Sequence, residues 1–589
     1  MRFGLLLGHQ LPRPWASGAD GALLEESLEL VALADRLDLD RVWVLEQHFL
    51  EEFSHSSAPA VFLAAASQRA SRIRLGLANT PLPPGFGPVA RVAEQVATLD
   101  QLSGGRVDLG TAEGVSGAEL GAFGVDRGTK HAQWEEVLGV VARMLTELPF
   151  AGTDGRWARM PPRTVVPRSH QRPHPPLWLA CTRRDAIRTA AEKGLGALSL
   201  APLEPNEAAD WIAEYRETIA SERCVPAGFA VDARVAVALP LSLHVDEAEA
   251  IERGIDGAHF WHYAQAHYET FGDHRPGRTH LWEEFTARRA AVGFAREPIT
   301  AAGAPLGVRV LRGGSSSLRG AVGTPAQVRA LVAAYAAAGV DELVWVVQAG
   351  RTSSAHVRET LELFAAEVMP PFCADADAVA ARREAELAPA VADALARRSP
   401  PRTGDPGYAF GPRDAGPSAV APSAEEAFPA LPADGQGPVM PAVRSGRPGL
   451  RRSAEVRGGA AFRAFVKRSD DRRLERTVGT NQGLRLLFGV MQSSFAPDQA
   501  AGFTGELCYE LRTASGVVRP WTLVITPDRA EARPGPGVNP RLRVKLTIAD
   551  FVRIAGGDLD AGKALLTGRM DLEGDFALAA RLGEMFGQG

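Results

Sequence analysis

Asp40-Arg41-Val42-Trp43-Val44-Leu45-Glu46-Gln47-His48-Phe49 is the stretch on which the reading of this chain turns. An extended apolar run ends in a carboxylate, an amide and an imidazole. β-Branched and aromatic residues at this density read as a short buried strand. The polar cluster then falls at the strand's C-terminal end. In a closed parallel βα barrel, that end is where catalytic side chains collect. A lone strand running into a polar loop has the same local pattern, so the surrounding sequence decides.

Outward from this stretch, strand and helix signals alternate. Extended apolar runs lie at 3–7, 40–45, 73–79, 106–110, 177–180, 197–200, 233–245 and 342–347. Helical patterns lie at 24–37, 58–70, 89–102, 131–145, 185–193, 206–219, 325–338 and 355–368. Alternation of this kind requires right-handed crossovers and a parallel sheet, and eight such units close a barrel. An open doubly wound sheet is the competitor, but no Gly-x-Gly-x-x-Gly follows the first strand. A (β/α)8 barrel is expected. The stretch 252–320, rich in aromatic and His residues, reads as irregular, and within it Arg312-Gly313-Gly314-Ser315-Ser316-Ser317-Leu318-Arg319-Gly320 reads as a mobile lid or as disorder.

At 589 residues the chain exceeds one core. After an Ala/Glu/Arg-rich extension from Cys373, the composition shifts: Pro400, Pro401, Pro406, Pro412, Pro417 and Pro422 forbid regular structure. The expected division is a barrel over 1–372, a helical extension and flexible linker over 373–457, and a small α+β domain over 458–589. In that last part 484–496 reads as a helix and 505–512, 521–526 and 541–548 as strands. Helices are expected at 548–555, 559–566 and 576–586. A net charge of −5 without a long basic block gives no nucleic-acid signal. Cys181, Cys224, Cys373 and Cys508 are far apart with no CxxC pair, which argues against a zinc ribbon and suits a reducing cytosol. No apolar run is long enough to span a bilayer, and no metal cluster is legible. The expected location is cytoplasmic.

Ser71-Arg72-Ile73-Arg74-Leu75-Gly76 and the run Arg91-Val92-Ala93-Glu94-Gln95 through Asp100-Gln101-Leu102-Ser103-Gly104-Gly105-Arg106 resemble the bacterial luciferase-like flavin monooxygenases. Phe123-Gly124-Val125-Asp126 and Gly323-Thr324-Pro325-Ala326-Gln327-Val328 stand at similar spacing. The resemblance covers about 1–370 and implies a (β/α)8 barrel using reduced FMN and O2, or in one branch a deazaflavin. It implies a separate flavin reductase and a homodimer. By the same resemblance His48 is the candidate for proton transfer, with Gln47 beside it where the luciferase branch has a His. An amide orients by hydrogen bonds but is no general base, whereas imidazole titrates near pH 6.5. Asn79 would line the flavin pocket. His9, Gln10 and Trp15 would touch substrate or flavin, and Trp178 and Trp345 read as core or wall. Where the family presents an Arg to the flavin phosphate, this chain has Glu113, which repels an anion. Thr182, Arg183 and Arg184 at a helix N-terminus, with Lys130 or His131, could compensate.

Asp550-Phe551-Val552-Arg553 through Gly556-Gly557-Asp558-Leu559, then Lys563-Ala564-Leu565-Leu566-Thr567-Gly568-Arg569-Met570-Asp571-Leu572, resembles sterol-carrier-protein-type lipid-binding domains. That implies an apolar tunnel for sterols or acyl chains, or a domain whose interior is filled by its own side chains. Three functions follow: a flavin-dependent monooxygenase of a hydrophobic or acyl-bearing molecule, a deazaflavin-dependent hydride-transfer oxidoreductase, or a non-catalytic lipid-binding protein with a degenerate flavin site.

Overall fold

The computed structural model describes residues 1–410 and 465–586, apart from 202, 290–293, 295–318, 496, 501–502, 514–515, 560, 567, 575–577, 579–581 and 583–584. The first part is a closed barrel of parallel strands. These are β1 (Arg2–Leu7), β2 (Arg41–Val44), β3 (Arg74–Pro81), β4 (Val107–Ala112), β5 (Leu177–Cys181), β6 (Gly196–Ser199), β7 (Val235–Leu243) and β8 (Glu342–Val346). Each pairs with the next, β6 meets β7, and β8 returns to β1, which closes the ring. The eight strands coincide with the eight expected ones to within a few residues. A short strand, Ala321–Gly323, lies parallel to the last residues of β7.

Alternation along the strands separates two cores. On β2, Val42 and Val44 face the surrounding helices, while Arg41, Trp43 and Leu45 face the lumen. The lumen is filled in layers. At its N-terminal end lie Arg41, Asp108 and Glu342. Above them come Trp43 and Trp178, their rings 5.2 Å apart. Two strand glycines make room for these rings: a Cβ on Gly76 would lie 2.2 Å from Trp43, and one on Gly196 would lie 2.4 Å from Trp178. Trp345 instead points outward, packed between Phe3 and Phe364.

Helices α1 (Ala19–Arg36), α2 (Pro59–Ser67), α3 (Val89–Leu102), α4 (Gly117–Ala122), α5 (Lys130–Thr146), α6 (Arg184–Glu192) and α7 (Pro205–Ile219) follow the strands in turn. The stretch expected to be irregular carries instead a long helix, α8 (Glu247–Ala266), capped by Asp246 and continued by a wider turn, His267–Phe271. Phe260, Trp261, His262, Tyr263 and Ala264 are buried in succession, so no single apolar stripe marked it as a helix. Trp261 closes over the lumen, its ring 2.9 Å from where a Cβ on Gly8 would stand. Further helices are α9 (Leu281–Arg288), α10 (Pro325–Ala337), α11 (Ser354–Glu367) and α12 (Ala376–Arg397). All but the last two residues of the expected lid at 312–320, and the linker from 411 onward, lie outside the described residues.

The C-terminal part has a five-stranded sheet. Its strands are β9 (Gly505–Arg512), β10 (Val518–Ile525), β11 (Ala530–Pro534), β12 (Pro540–Thr547) and β13 (Met570–Gly574), in the order β11-β10-β9-β12-β13. Strands β11 and β13 were not anticipated. Helices Asn481–Ser493 and Ile548–Ala555 cover the sheet. Between them Phe488 stacks on Trp521 at 4.6 Å and on Phe551 at 5.0 Å, with Tyr509 alongside at 5.5 Å. The expected helix at 576–586 falls largely outside the described residues.

Candidate functional site

The C-terminal ends of β2, β3 and β4 open into a cleft of about 410 Å³, including the part open to solvent. Leu50, Phe53, Pro81, Phe86 and Ala112 supply apolar walls; Glu46, Gln47, Asn79, Glu119, Tyr268 and Glu269 supply polar groups. The end of α8 and the turn after it complete the enclosure.

The post-β2 segment is held rigidly. Asn79 Oδ1 accepts the Glu46 main-chain N–H at 2.7 Å, and Asn79 Nδ2 donates to the Glu46 carbonyl at 3.1 Å. The amide thus pins the chain two residues past the last β2–β3 ladder pair and has both its atoms occupied. Gln47 N donates to the Ser56 carbonyl. His48 donates its main-chain N–H to Glu119 Oε1 at 2.9 Å. The His48 ring flanks the cleft, 5.0 Å from Phe123 and 6.3 Å from Phe86, with Nε2 3.5 Å from Glu46 Oε1. Phe49 follows at φ 66° and is 56% exposed. A non-glycine residue in that region carries strain, which collects at functional sites.

Three carboxylates line the cleft and, among the described residues, no Lys or Arg does. Burial pushes Glu119 up to about 7; the His48 N–H opposes this, and the neighbouring Glu269 and Glu46 add to it. Glu269 shifts in the same direction, chiefly by burial. On the β4 side charge is balanced differently. Glu113 contacts His131 Nδ1 at 2.6 Å and Lys130 Nζ at 3.4 Å, and Lys130 also donates to the Gly114 carbonyl at 2.6 Å. Burial pulls Lys130 below its ordinary value while Glu113 resists, and Arg127 and Arg183 act from nearby. The repulsion expected from Glu113 is therefore compensated within the site. Lys130 and His131 are the residues the sequence offered against the Glu113 charge, and both reach it.

The other expected residues stand elsewhere. Arg183 is exposed and paired with Asp185 at 3.0 Å, at the start of α6; neither it nor Thr182 lines the cleft, and the Arg184 side chain lies outside the described residues. His9 is buried against Phe62 at 4.6 Å, with neither ring nitrogen hydrogen-bonded to a described residue, and burial lowers it to about 4. Gln10 Oε1 accepts from Gly350 N at 2.6 Å. Trp15 lies under the Arg13 guanidinium, 3.8 Å away, 37% exposed. None of these three lines the cleft. Conversely, Glu119, Tyr268 and Glu269 escaped the sequence reading. Ser116-Gly117-Ala118-Glu119 has the spacing of a capping box, which would turn the Glu back on its own helix. Ser116 does cap α4 through Ala118 N, but Glu119 reaches to His48 instead.

Among the described residues no group of three or more His, Cys, Asp or Glu side chains is placed to hold a metal ion, and no helix is long and apolar enough to cross a membrane. All four cysteines are free.

Residues 1–342 match the family described as luciferase-like monooxygenase, and residues 486–587 match the SCP-2 sterol transfer family. Limonene 1,2-monooxygenase of Rhodococcus erythropolis is 33% identical over 134 residues, 22% of this chain and 34% of that protein. The oxygenase component of flavin-dependent trigonelline monooxygenase from Acinetobacter baylyi is 26% identical over 199 residues, 33% and 52% of the two chains. Among solved structures, monooxygenase RslO1 from Streptomyces bottropensis is 25% identical, with TM-score 0.49 over 63% of this chain and 100% of that one. The matched stretches span about half the length of several curated relatives. A closed barrel with its cleft at the strand C-termini, matched from the first residue to the last barrel strand, places this chain in the luciferase-like monooxygenase family.

Proposed function

We propose that the barrel is a flavin-dependent monooxygenase acting on a neutral, hydrophobic or acyl-bearing small molecule with reduced FMN and O2. The observation that carries this is the cleft itself, with apolar walls for a flat ring and the Lys130–Glu113–His131 cluster at its β4 edge, Gly114 joining the two. Lys130 and the N-terminus of α6 are the groups that would hold a phosphate. Reduced flavin bound there would supply the electrons for oxygen activation. The chain's own residues do the rest. Asn79 fixes the Glu46–Gln47 backbone, Gln47 offers an amide to orient a bound oxygen, and Trp261 and Tyr268 close the lumen side against water. Reduced flavin from a separate reductase fits the absence of a Gly-x-Gly-x-x-Gly motif and the two-component arrangement implied by the printed name of the trigonelline relative. The C-terminal part, by its family, is proposed to bind an apolar ligand for the barrel.

Titration of the purified protein with oxidised and reduced FMN and with a deazaflavin, followed by visible absorbance and binding heat, tests this. Micromolar or tighter FMN binding with oxygen consumption on adding reduced FMN supports it. Preference for deazaflavin turns the chemistry to hydride transfer, and binding of neither leaves a lipid-binding scaffold.

A further inference from the structure

We propose that Glu119 is the proton donor of this cleft, and that His48 serves it through its main-chain N–H rather than through its own ring. The inference rests on the reading of the cleft as the flavin and substrate site. Glu119 is only 5% exposed, yet its side chain forms part of the cleft wall. His48 N fixes Oε1 at 2.9 Å, and Oε2 takes no hydrogen bond from a described residue. One oxygen is thereby anchored and the other is left for a ligand. The His48 ring, in contrast, packs among Phe49, Phe86 and Phe123 and is not part of the wall.

The groups around Glu119 hold its proton in place. Glu46 faces it from the end of β2. Glu269 faces it from the turn after α8, with Gln265 Nε2 3.3 Å from the Glu269 carboxyl and Lys130 acting on Glu269 from the far side. Ser116 and Tyr268 complete the surroundings, the Tyr268 hydroxyl buried without a partner among the described residues. Poor solvation and the like charges favour the neutral acid, and together they outweigh the His48 main-chain bond and ring charge, which favour the anion. Glu119 consequently sits at about 7, where a group can both hold a proton and give it up near neutral pH. The reaction has a place for that proton. In net terms a reduced flavin anion, O2, substrate and one proton give oxidised flavin, oxygenated substrate and water. Two electrons leave the flavin; one oxygen atom bonds to substrate. The other ends as water with one hydrogen from the flavin and the proton from Glu119, which solvent replaces.

The test compares wild type with Glu119→Gln, which keeps the acceptor for His48 N–H, in the full chain. Infrared difference spectra between about pH 6 and about pH 8, taken without flavin, are expected to show a protonated-carboxyl band that shrinks in the variant by the Glu119 share, Glu269 supplying the remainder. Oxygen consumption with reduced FMN is expected to fall in the wild type as pH rises through about 7. In the variant it should be at least about tenfold lower at acid pH and independent of pH over that range, with FMN affinity unchanged within about twofold. A band that Glu119→Gln leaves undiminished, or a pH profile that the variant leaves unaltered while flavin still binds, overturns the inference. A wild type that shows the band but binds no flavin overturns the functional reading instead.

Discussion

The two ends of the barrel lumen share strands and differ in what surrounds their carboxylates. At the N-terminal end Arg41 Nε bonds Asp108 Oδ2 at 3.1 Å and its Nη1 reaches Glu342; Arg74 Nε adds a second bond to Asp108 at 2.6 Å. Trp43 Nε1 donates to Glu342 and Trp178 Nε1 to Asp108, each at 3.2 Å. Burial alone would raise Asp108, but Arg41, Arg74 and Arg234 bring it down to about 2. At the C-terminal end Glu46, two residues past β2, and Glu119, on the helix after β4, face space that no cation lines among the described residues, and Glu119 rises to about 7. One end consumes its charges in holding the strands together. The other leaves them open, as a site for chemistry requires.

The sharpest way to break this contrast is Asp108→Asn, which leaves the buried Arg41 with Glu342 alone and the half-buried Arg74 and Arg234 beside a neutral amide. Loss of about 3–5 kcal/mol of barrel stability in urea denaturation is expected; a loss below about 1 kcal/mol would show that the base is not so tightly balanced. Next is Glu119→Gln, with the opposite sign. The wild-type carboxyl ionises near 4.5 when unfolded but near 7 when folded, so stability falls as pH rises between those values. The variant does not titrate there. Above pH 7 it should be the more stable by up to about 3 kcal/mol, with no difference near pH 4, as read from paired thermal melts. Lys130→Met removes the amine that balances Glu113 and should weaken FMN binding about tenfold, or about 1.4 kcal/mol, by calorimetry. Adding Glu113→Gln to that variant should recover part of the loss. The smallest effect is expected from Asn79→Ala, about 1 kcal/mol in thermal unfolding, for the two bonds to the Glu46 backbone.

The fold was legible because barrel strands announce themselves: buried on both faces, they read as continuous apolar runs bounded by Gly and Pro. Arg41 was the exception inside such a run. Its partners Asp108 and Glu342 are remote in sequence, so nothing local showed that a charge belonged in the lumen. Helix α8 was hidden for a related reason, its His and aromatic residues being buried around the whole circumference near its end. At the site, the segment after β2 and Asn79 could be placed at the barrel mouth because strand ends fix them. Whether a side chain then faced the cleft depended on its own packing. His9 turns against α2, and Glu119, on a short helix between strands, reaches the cleft only because it leaves its helix for His48.

The central claim is that the mouth formed by β2, β3, β4 and the end of α8 is where the flavin binds. Hydrogen–deuterium exchange of the full chain with and without FMN tests it most directly. The account predicts new protection at 46–50, 79–86, 112–119 and 265–269, and none at the lumen base around Arg41, Asp108 and Glu342. Protection confined to the C-terminal part, or no change in those four segments at saturating FMN, would contradict it.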